Sequence, residues 1–508
     1  MNRRTFLSYG PAIAGAVAAP ARGEILRLEE EEIGALRRHS AVSLTRSYLA
    51  RIRSLDRRLG AVIEVNPDAL KIAAGLDAER RRGHPRGPLH GIPVLIKDNI
   101  DTGDRMLTTA GSLALEGSPA PRDSAVAERL RQAGAVILGK TNLSEWANYR
   151  STHSVSGWSG RGGQTRNPYA LDRNPCGSSS GSGAAVSANL CAVAVGTETD
   201  GSVVCPSSLC GIVGIKPTLG LIGGAGIIPI AKSQDTAGPM ARTVRDAAIL
   251  LGALADPHAG RAEPDYTKFL DPAGLRGARL GVARKFFGFN PAVDRIMEDA
   301  IAGMKKQGAE IVDPADPPSN WNFEDAEGLV LSYEFKTGIN HYLESRGSTA
   351  RFHSLTELIA FNQREHKREM PYFGQEIFER AEGRGPLTEP KYLDAVERSH
   401  RLSQAEGIDA AIAKYKLDAL IGPTAGPAWT IDWVNGDNDS GGCSTPAAMA
   451  GYPHITVPAG FIFGLPVGIS FFGAAWSEPA LLKFAYAFEQ STRIRKAPRM
   501  LSTVSFEA

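Results

Sequence analysis

Short apolar runs alternate with amphipathic stretches along most of this chain. Apolar residues recur at helical spacing over residues 33–58, 69–82 and 124–134, whereas residues 91–97 and 135–140 are short and almost continuously apolar. Helical spacing buries one face of a helix, and a short apolar run is typical of a strand covered on both faces. The alternation predicts an α/β architecture.

The second half of the chain repeats this alternation and then departs from it. Residues 278–283 and 310–312 are predicted strands on either side of a helix at 291–307. From about residue 321 to 416 the pattern is mainly that of charged amphipathic helices, and strand-like runs return at 419–421 and 455–457. We therefore predict one domain over residues 22–508, with a mainly helical insertion at about 321–416.

The first 21 residues have the pattern of a twin-arginine export signal. Arg3 and Arg4 precede a weakly apolar run, and small residues before positions 19 and 22 suit a signal peptidase that cleaves after Ala18 or Ala21. This predicts a periplasmic or secreted protein, or a cytoplasmic one if the signal does not function. No later run reaches the roughly 18 apolar residues of a membrane-spanning helix, so we expect no stable membrane anchor.

Charge and cysteine content narrow the function classes. The net charge is +2, from 57 basic and 55 acidic residues, which argues against a nucleic-acid partner. The cysteines are odd in number and include no C-x-x-C pair, so we expect five buried small residues rather than a disulfide framework or a zinc site. No H-E-x-x-H motif occurs, and we predict neither a metal nor a cofactor.

The candidate chemistry lies in a Gly/Ser-rich segment, residues 176–218, which is expected to form two tight loops at 177–183 and 199–202. Ser179 formally matches the G-x-S-x-G nucleophile elbow, but the residues before it have the pattern of a loop rather than of the strand that an elbow requires. Lys97 ends an apolar strand, and burial would lower its pKa until the neutral amine could activate a serine. The alternative for Lys97 is an ion pair with its neighbour Asp98.

Several separated motifs resemble the amidase signature family. They occupy residues 91–99, 176–182, 196–202, 206–208, 214–218, 235–240 and 464–468, in the order that the family shows. The resemblance covers essentially the whole chain after the export signal. It implies the amidase signature fold, in which a large mixed central sheet is covered by helices on both faces, and hydrolysis of an amide bond.

The same resemblance implies a set of site residues. Lys97 corresponds to the base, Ser178 to a bridging serine held in a cis peptide, and Ser202 to the nucleophile. Backbone N–H groups around Thr199, Asp200, Gly201 and Ser202 are expected to hold the oxyanion. Ser179, Ser180 and Ser182 are expected to cap or brace the loops.

Two departures resemble the bacterial peptide amidase branch of the family, which removes ammonia from C-terminal peptide amides. Asp200-Gly201 replaces the usual Gly-Gly before the nucleophile, and residues 176–181 read C-G-S-S-S-G. Segments 144–151 and 162–169 also resemble that branch. Asp200 is expected either to act on the proton relay or on specificity, or only to close the loop through a hydrogen bond.

Three other functions remain open from the sequence. A broad-specificity amidase for aliphatic, aryl or fatty amides would use the same core, with its pocket shaped by the helical insertion. The amide-hydrolysing component of glutamyl-tRNA amidotransferase also shares the core, although an export signal argues against it. An inactive secreted binding protein is disfavoured because Lys97, Ser178 and Ser202 are all retained.

Overall fold

A mixed sheet of eleven strands organises the described part of the chain, which is residues 25–323 and 325–506 of a computed structural model. The strands are β1 (Val62–Val65), β2 (Pro93–Lys97), β3 (Val136–Thr141), β4 (Trp158–Ser159), β5 (Gly163–Gln164), β6 (Val193–Glu198), β7 (Val213–Lys216), β8 (Thr236–Ala241), β9 (Arg279–Val282), β10 (Glu310–Val312), β11 (Ala419–Pro423), β12 (His454–Ile462) and β13 (Leu465–Phe472). The sheet order is β1-β3-β2-β6-β8-β7-β12-β13-β11-β9-β10, and β4 pairs only with β5.

Helices flank this sheet. They are α1 (Ile33–Leu36), α2 (Ala41–Leu59), α3 (Ala69–Arg81), α4 (Ala125–Gln132), α5 (Ser180–Ser187), α6 (Val204–Leu209), α7 (Val244–Leu254), α8 (Pro291–Lys306), α9 (Ala326–Ser345), α10 (Leu355–Arg364), α11 (His366–Glu369), α12 (Glu376–Glu382), α13 (Pro390–His400), α14 (Asp409–Tyr415), α15 (Thr445–Ala450) and α16 (Glu478–Thr492). Short 3₁₀ helices lie at Leu113–Leu115, Glu145–Asn148, Tyr266–Phe269, Arg284–Phe286 and Gly347–Thr349, and a π-helical turn lies at Arg401–Ile408. The predicted mixed α/β class is confirmed.

The centre of the sheet places two functional loops beside each other. Strand β2 lies between β3 and β6 and pairs with both in parallel. Every residue of these three strands is buried, because both faces of the sheet are covered. Since β2 and β6 run in the same direction, the residues that follow them emerge at the same edge.

Two local expectations are wrong. The stretch 33–58 is not one helix but α1 and α2, because the Ser40 side chain accepts a hydrogen bond from the Ser43 N–H and caps a new helix start. The predicted loop 177–183 is helical from Ser180 onwards. A Cβ on Gly181 would lie 2.3 Å from the Ala61 carbonyl oxygen and 2.4 Å from that of Asn142, so only glycine permits this close packing.

The chain leaves the sheet after β10 and returns at β11, and helices α9–α14 lie between. Several of them pack around a second apolar cluster that includes Phe335, Leu343, Leu358 and Phe378. Among the described residues, no helix is long and apolar enough to cross a bilayer. The predicted export signal, residues 1–21, lies outside the described part of the chain.

Candidate active site

Three neighbouring segments bring Lys97, Ser178 and Ser202 together. Lys97 is the last residue of β2, Ser178 lies just before α5, and Ser202 lies in the turn between β6 and α6. The peptide bond between Gly177 and Ser178 is cis. Lys97 and Ser178 are fully buried, and Ser202 retains 8% exposure. The most accessible of the three groups is therefore the Ser202 hydroxyl.

The three side chains form a continuous hydrogen-bonded chain. Lys97 Nζ lies 2.8 Å from Ser178 Oγ. Ser178 Oγ in turn lies 3.1 Å from Ser202 Oγ. Lys97 makes no ion pair with Asp98 within the described residues, because successive side chains of a strand point to opposite faces. Asp98 instead accepts a hydrogen bond from the Thr109 hydroxyl.

The environment of Lys97 favours its neutral form. Burial lowers the pKa of Lys97 to about 7, against the opposing effect of the carboxylates of Asp235 and Glu198. The ammonium also has two further acceptors, Thr197 Oγ1 at 2.8 Å and the Thr197 carbonyl oxygen at 3.2 Å. A lysine with a pKa near 7 can both accept and return a proton at neutral pH.

Thr197 is a site residue that the sequence interpretation missed. It lies on β6, whose parallel pairing with β2 turns its side chain towards Lys97. Its hydroxyl also accepts a hydrogen bond from Asn99 Nδ2 at 3.0 Å. Thr197 belongs to the 196–202 motif, but membership of the motif does not show that its side chain faces Lys97. The register of the two parallel strands β2 and β6 would have shown it.

The loop at 199–202 presents free backbone donors. No described residue accepts a hydrogen bond from the N–H groups of Thr199, Asp200, Gly201 or Ser202. The turn is held from both ends, because the Glu198 carboxylate accepts from the N–H groups of residues 203 and 204 at 2.8 and 3.0 Å. Gly201 has a φ of +76°, a conformation that favours glycine. Such a fixed turn can hold an oxyanion.

Ser179 faces away from this chain of hydroxyls. Its Oγ donates to the Thr197 carbonyl oxygen at 3.0 Å and accepts from the Thr197 N–H at 3.1 Å. A loop rather than a strand precedes it. The oxygen of Ser179 therefore braces two segments and is not presented as a nucleophile.

Asp200 is partly buried, and only one of its two carboxylate oxygens accepts a hydrogen bond from a described residue. The Thr445 hydroxyl donates to its Oδ2 at 2.7 Å. Its Oδ1 is buried and has no hydrogen-bond partner among the described residues. Burial raises the pKa of Asp200. The hydrogen bond closes the loop against α15, which is one of the two roles left open by the sequence.

A cleft of about 500 Å³ opens at Ser202. Much of its wall comes from residues 424–445, a segment that the sequence interpretation did not assign to the site, whereas α9 contributes Leu331. Three carboxylates line the cleft, those of Asp200, Asp437 and Asp439. No Lys, Arg or His side chain lies among its described lining residues, and the cleft therefore has an acidic wall.

The cysteines correct a prediction. Cys176 and Cys205 form a disulfide with their Cα atoms 6.0 Å apart, so the expectation of five unpaired cysteines is wrong. No sequence pattern pointed to this pair, because the two residues become neighbours only when the loops around Ser178 and Ser202 meet. Cys191, Cys210 and Cys443 are free and buried. In residues 25–323 and 325–506, no group of three His, Cys, Asp or Glu side chains is placed to hold a metal ion.

Comparisons with known proteins agree with this arrangement. The family model for Amidase matches residues 43–482. The crystal structure of native peptide amidase from Stenotrophomonas maltophilia is similar, with 50% identity, a TM-score of 0.88, and coverage of 93% of this chain and 99% of that one. A protein of Arabidopsis thaliana named as an amidase is 41% identical over 92% of this chain and 90% of its own. One component of the glutamyl-tRNA(Gln) amidotransferase of Symbiobacterium thermophilum is 35% identical over 90% of this chain and 95% of its own.

Proposed function

The chain belongs to the Amidase family and is a serine-dependent amide hydrolase, and on that premise we propose that it deamidates peptides with a C-terminal carboxamide. The products are the free carboxylate and ammonia. The observation that carries the proposal is the similarity to a peptide amidase, at 50% identity over 93% of this chain. The cleft at Ser202 supports it, since its 500 Å³ can enclose more than a small amide.

The proposed proton relay runs from Ser202 through Ser178 to Lys97. The neutral amine of Lys97 takes the proton of Ser178, which takes that of Ser202 as Ser202 Oγ attacks the carboxamide carbon. The distances of 2.8 and 3.1 Å support direct transfer along this path. The relay then runs in reverse: Ser178 gives one proton to the departing nitrogen and regains one from Lys97, the C–N bond breaks and ammonia leaves. Water then hydrolyses the acyl-enzyme on Ser202 by the same relay.

We place the oxyanion hole at the unpaired N–H groups of residues 199–202. They are held by the turn before the substrate arrives, so little reorganisation is needed when negative charge develops on the carbonyl oxygen. Removing one such donor costs about 3 kcal/mol in comparable sites.

We also propose that the protein is exported, as its first 21 residues predict. The Cys176–Cys205 disulfide supports this proposal, because disulfides persist in oxidising compartments and are rare in a reducing cytosol. Fractionation of cells that express the full chain tests it. Activity in the periplasmic fraction that is lost on Arg3→Lys/Arg4→Lys substitution is the expected result, and activity confined to the cytosol would contradict it.

A panel of four substrates tests the activity. It consists of an amidated dipeptide, a short aliphatic amide, an aryl amide and an unblocked tripeptide, with ammonia and new amino groups measured separately. We expect kcat/KM for the amidated dipeptide to exceed that for the aliphatic amide at least about tenfold, because contacts to the remote peptide portion stabilise the transition state. Equal values would reduce the function to a broad-specificity amidase. Cleavage of the tripeptide would contradict deamidation.

A further inference from the structure

The Cys176–Cys205 disulfide joins the two loops that carry the hydroxyls of the proposed relay. Cys176 stands two residues before Ser178, and Cys205 stands three residues after Ser202. Within the described residues it is the only covalent link between these loops. The disulfide therefore links the segment that carries the Ser178 hydroxyl to the segment that carries the Ser202 hydroxyl.

Apart from the disulfide, hydrogen bonds hold the two loops together, and two of them join the Ser179 hydroxyl to the backbone of Thr197 at the end of β6. The Ser179 N–H donates to the Ser202 carbonyl oxygen at 3.1 Å, and the Ser178–Ser202 hydrogen bond is itself the contact that must be kept. Cys176 also adopts a φ of +62°, a backbone conformation that a residue with a side chain seldom adopts unless its surroundings hold it there. Breaking the sulfur–sulfur bond removes one of those restraints.

The disulfide is also reachable from solvent through the cleft. Both of its cysteines line the cleft and keep 6% and 8% exposure. Cys191, Cys210 and Cys443 are fully buried and lie outside the cleft lining. A small thiol that enters the cleft therefore meets the disulfide, and a substrate that fills the cleft covers it.

We propose that this disulfide positions Ser178 against Ser202 and makes amide hydrolysis sensitive to thiol–disulfide exchange. The inference rests on the proposed relay. A thiolate of a dithiol reductant attacks one sulfur of the disulfide, the sulfur–sulfur bond breaks, and the other cysteine leaves as a thiolate, which gives a mixed disulfide. The second thiolate of the reductant then attacks the reductant's own sulfur in the mixed disulfide and displaces the remaining cysteine. Two electrons and two protons pass to Cys176 and Cys205, and the reductant becomes a disulfide. In the reverse step a disulfide-bearing oxidant takes the two electrons, the two protons leave, and the link reforms.

The consequence is a difference between compartments. In a reducing cytosol the chain would carry two thiols and a loosened relay, and in an oxidising compartment it would carry the disulfide and the aligned relay. Full activity would then appear only where the bond can form.

Steady-state kinetics before and after reduction test the inference. Wild-type protein is treated with dithiothreitol at a temperature where far-UV circular dichroism is unchanged, and alkylation followed by mass spectrometry counts the new thiols. We expect kcat for an amidated dipeptide to fall at least about tenfold with KM within about twofold, since displacement of reacting groups by about 1 Å can cost about a hundredfold. Oxidised glutathione should restore kcat, and a competitive inhibitor should slow the reduction.

Variants provide the controls. Cys176→Ser/Cys205→Ser should reproduce the reduced kcat and respond to neither reagent, whereas Cys191→Ala, which removes a fully buried free thiol, should respond like wild type. If alkylation and mass spectrometry show that both cysteines of the wild type are reduced, and kcat of the reduced protein is unchanged, the inference is overturned while the proposed function stays in place. Oxidised protein that hydrolyses no amide would overturn the proposed function and this inference with it.

Discussion

The hydroxyl of Thr197 should set the pH at which Lys97 becomes a competent base. Thr197 Oγ1 accepts a hydrogen bond from Lys97 Nζ at 2.8 Å, and an acceptor at that position favours the ammonium form. In Thr197→Val a methyl group replaces the hydroxyl, so the charged form loses a partner and the pKa of Lys97 falls. The neutral amine then exists at lower pH, and the acid limb of the activity profile moves to lower pH.

The size of the shift follows from the hydrogen bond that is removed. A hydrogen bond to a charged group contributes about 1.5–3 kcal/mol, and one pKa unit corresponds to about 1.4 kcal/mol. The Thr197 carbonyl oxygen, at 3.2 Å from Nζ, remains as an acceptor in the variant and compensates in part. We therefore expect the midpoint to move down by about one unit from the pKa of about 7 that burial gives Lys97.

The assay is kcat/KM for an amidated dipeptide from about pH 4.5 to about pH 9, because that ratio reports the ionisation of the free enzyme. Thr141→Val is the matched control, since Thr141 is a fully buried threonine that lies opposite Lys97 on β3 but whose hydroxyl pairs with Ser182 and not with Lys97 Nζ. Its midpoint should match that of wild type. A midpoint that moves to higher pH, or stays in place, in Thr197→Val would refute the assignment of Lys97 as the titrating base.

Three further predictions test neighbouring parts of the account. Ser178→Ala should lower kcat about a thousandfold because it interrupts the relay, whereas Ser179→Ala should lower it less than about tenfold; the reverse order would misplace the bridging serine. Lys97→Met should abolish turnover and raise the free energy of unfolding by up to about 4 kcal/mol at pH 7, since burial depresses the pKa of the wild-type amine from 10.5 to about 7 and each unit corresponds to about 1.4 kcal/mol. Because the unfolded chain binds the proton between about pH 7 and about pH 10, wild type gains stability over that range and the difference should shrink; denaturant titrations that show a constant or growing difference would contradict this. Because the cleft has an acidic wall, an amidated dipeptide with a free N-terminal ammonium should have a lower KM than its succinylated derivative. A lower KM for the succinylated form would contradict the acidic character of the wall.

Some of these features could be predicted from the sequence because they are local. The apolar run ending at Lys97 is a buried strand, and the Gly/Ser-rich motifs lie at the turns beside it. Thr197 was not found because its role depends on which strand lies next to β2, and no local pattern encodes that pairing. The disulfide was missed for the same reason, since Cys176 and Cys205 meet only across two loops.

The wall of the cleft is the clearest example of a feature that could not be predicted from the sequence. Residues 424–445 follow β11 at the far end of the chain, yet they reach the mouth of the cleft and contribute Trp429 and two of its aspartates. Their pattern is that of an ordinary irregular loop. Only the placement of β11 beside β13 brings the segment to Ser202, so its contribution to specificity becomes visible only in three dimensions.

Covalent labelling of the nucleophile tests the central claim most directly. The protein is treated with a fluorophosphonate that reacts with activated serines, and peptide mapping by mass spectrometry locates the adduct. The account predicts one phosphonylated residue, Ser202, with labelling lost in Ser202→Ala and strongly slowed in Lys97→Met. An adduct on Ser179 or Ser178, together with amide hydrolysis by Ser202→Ala within about tenfold of wild type, would contradict it.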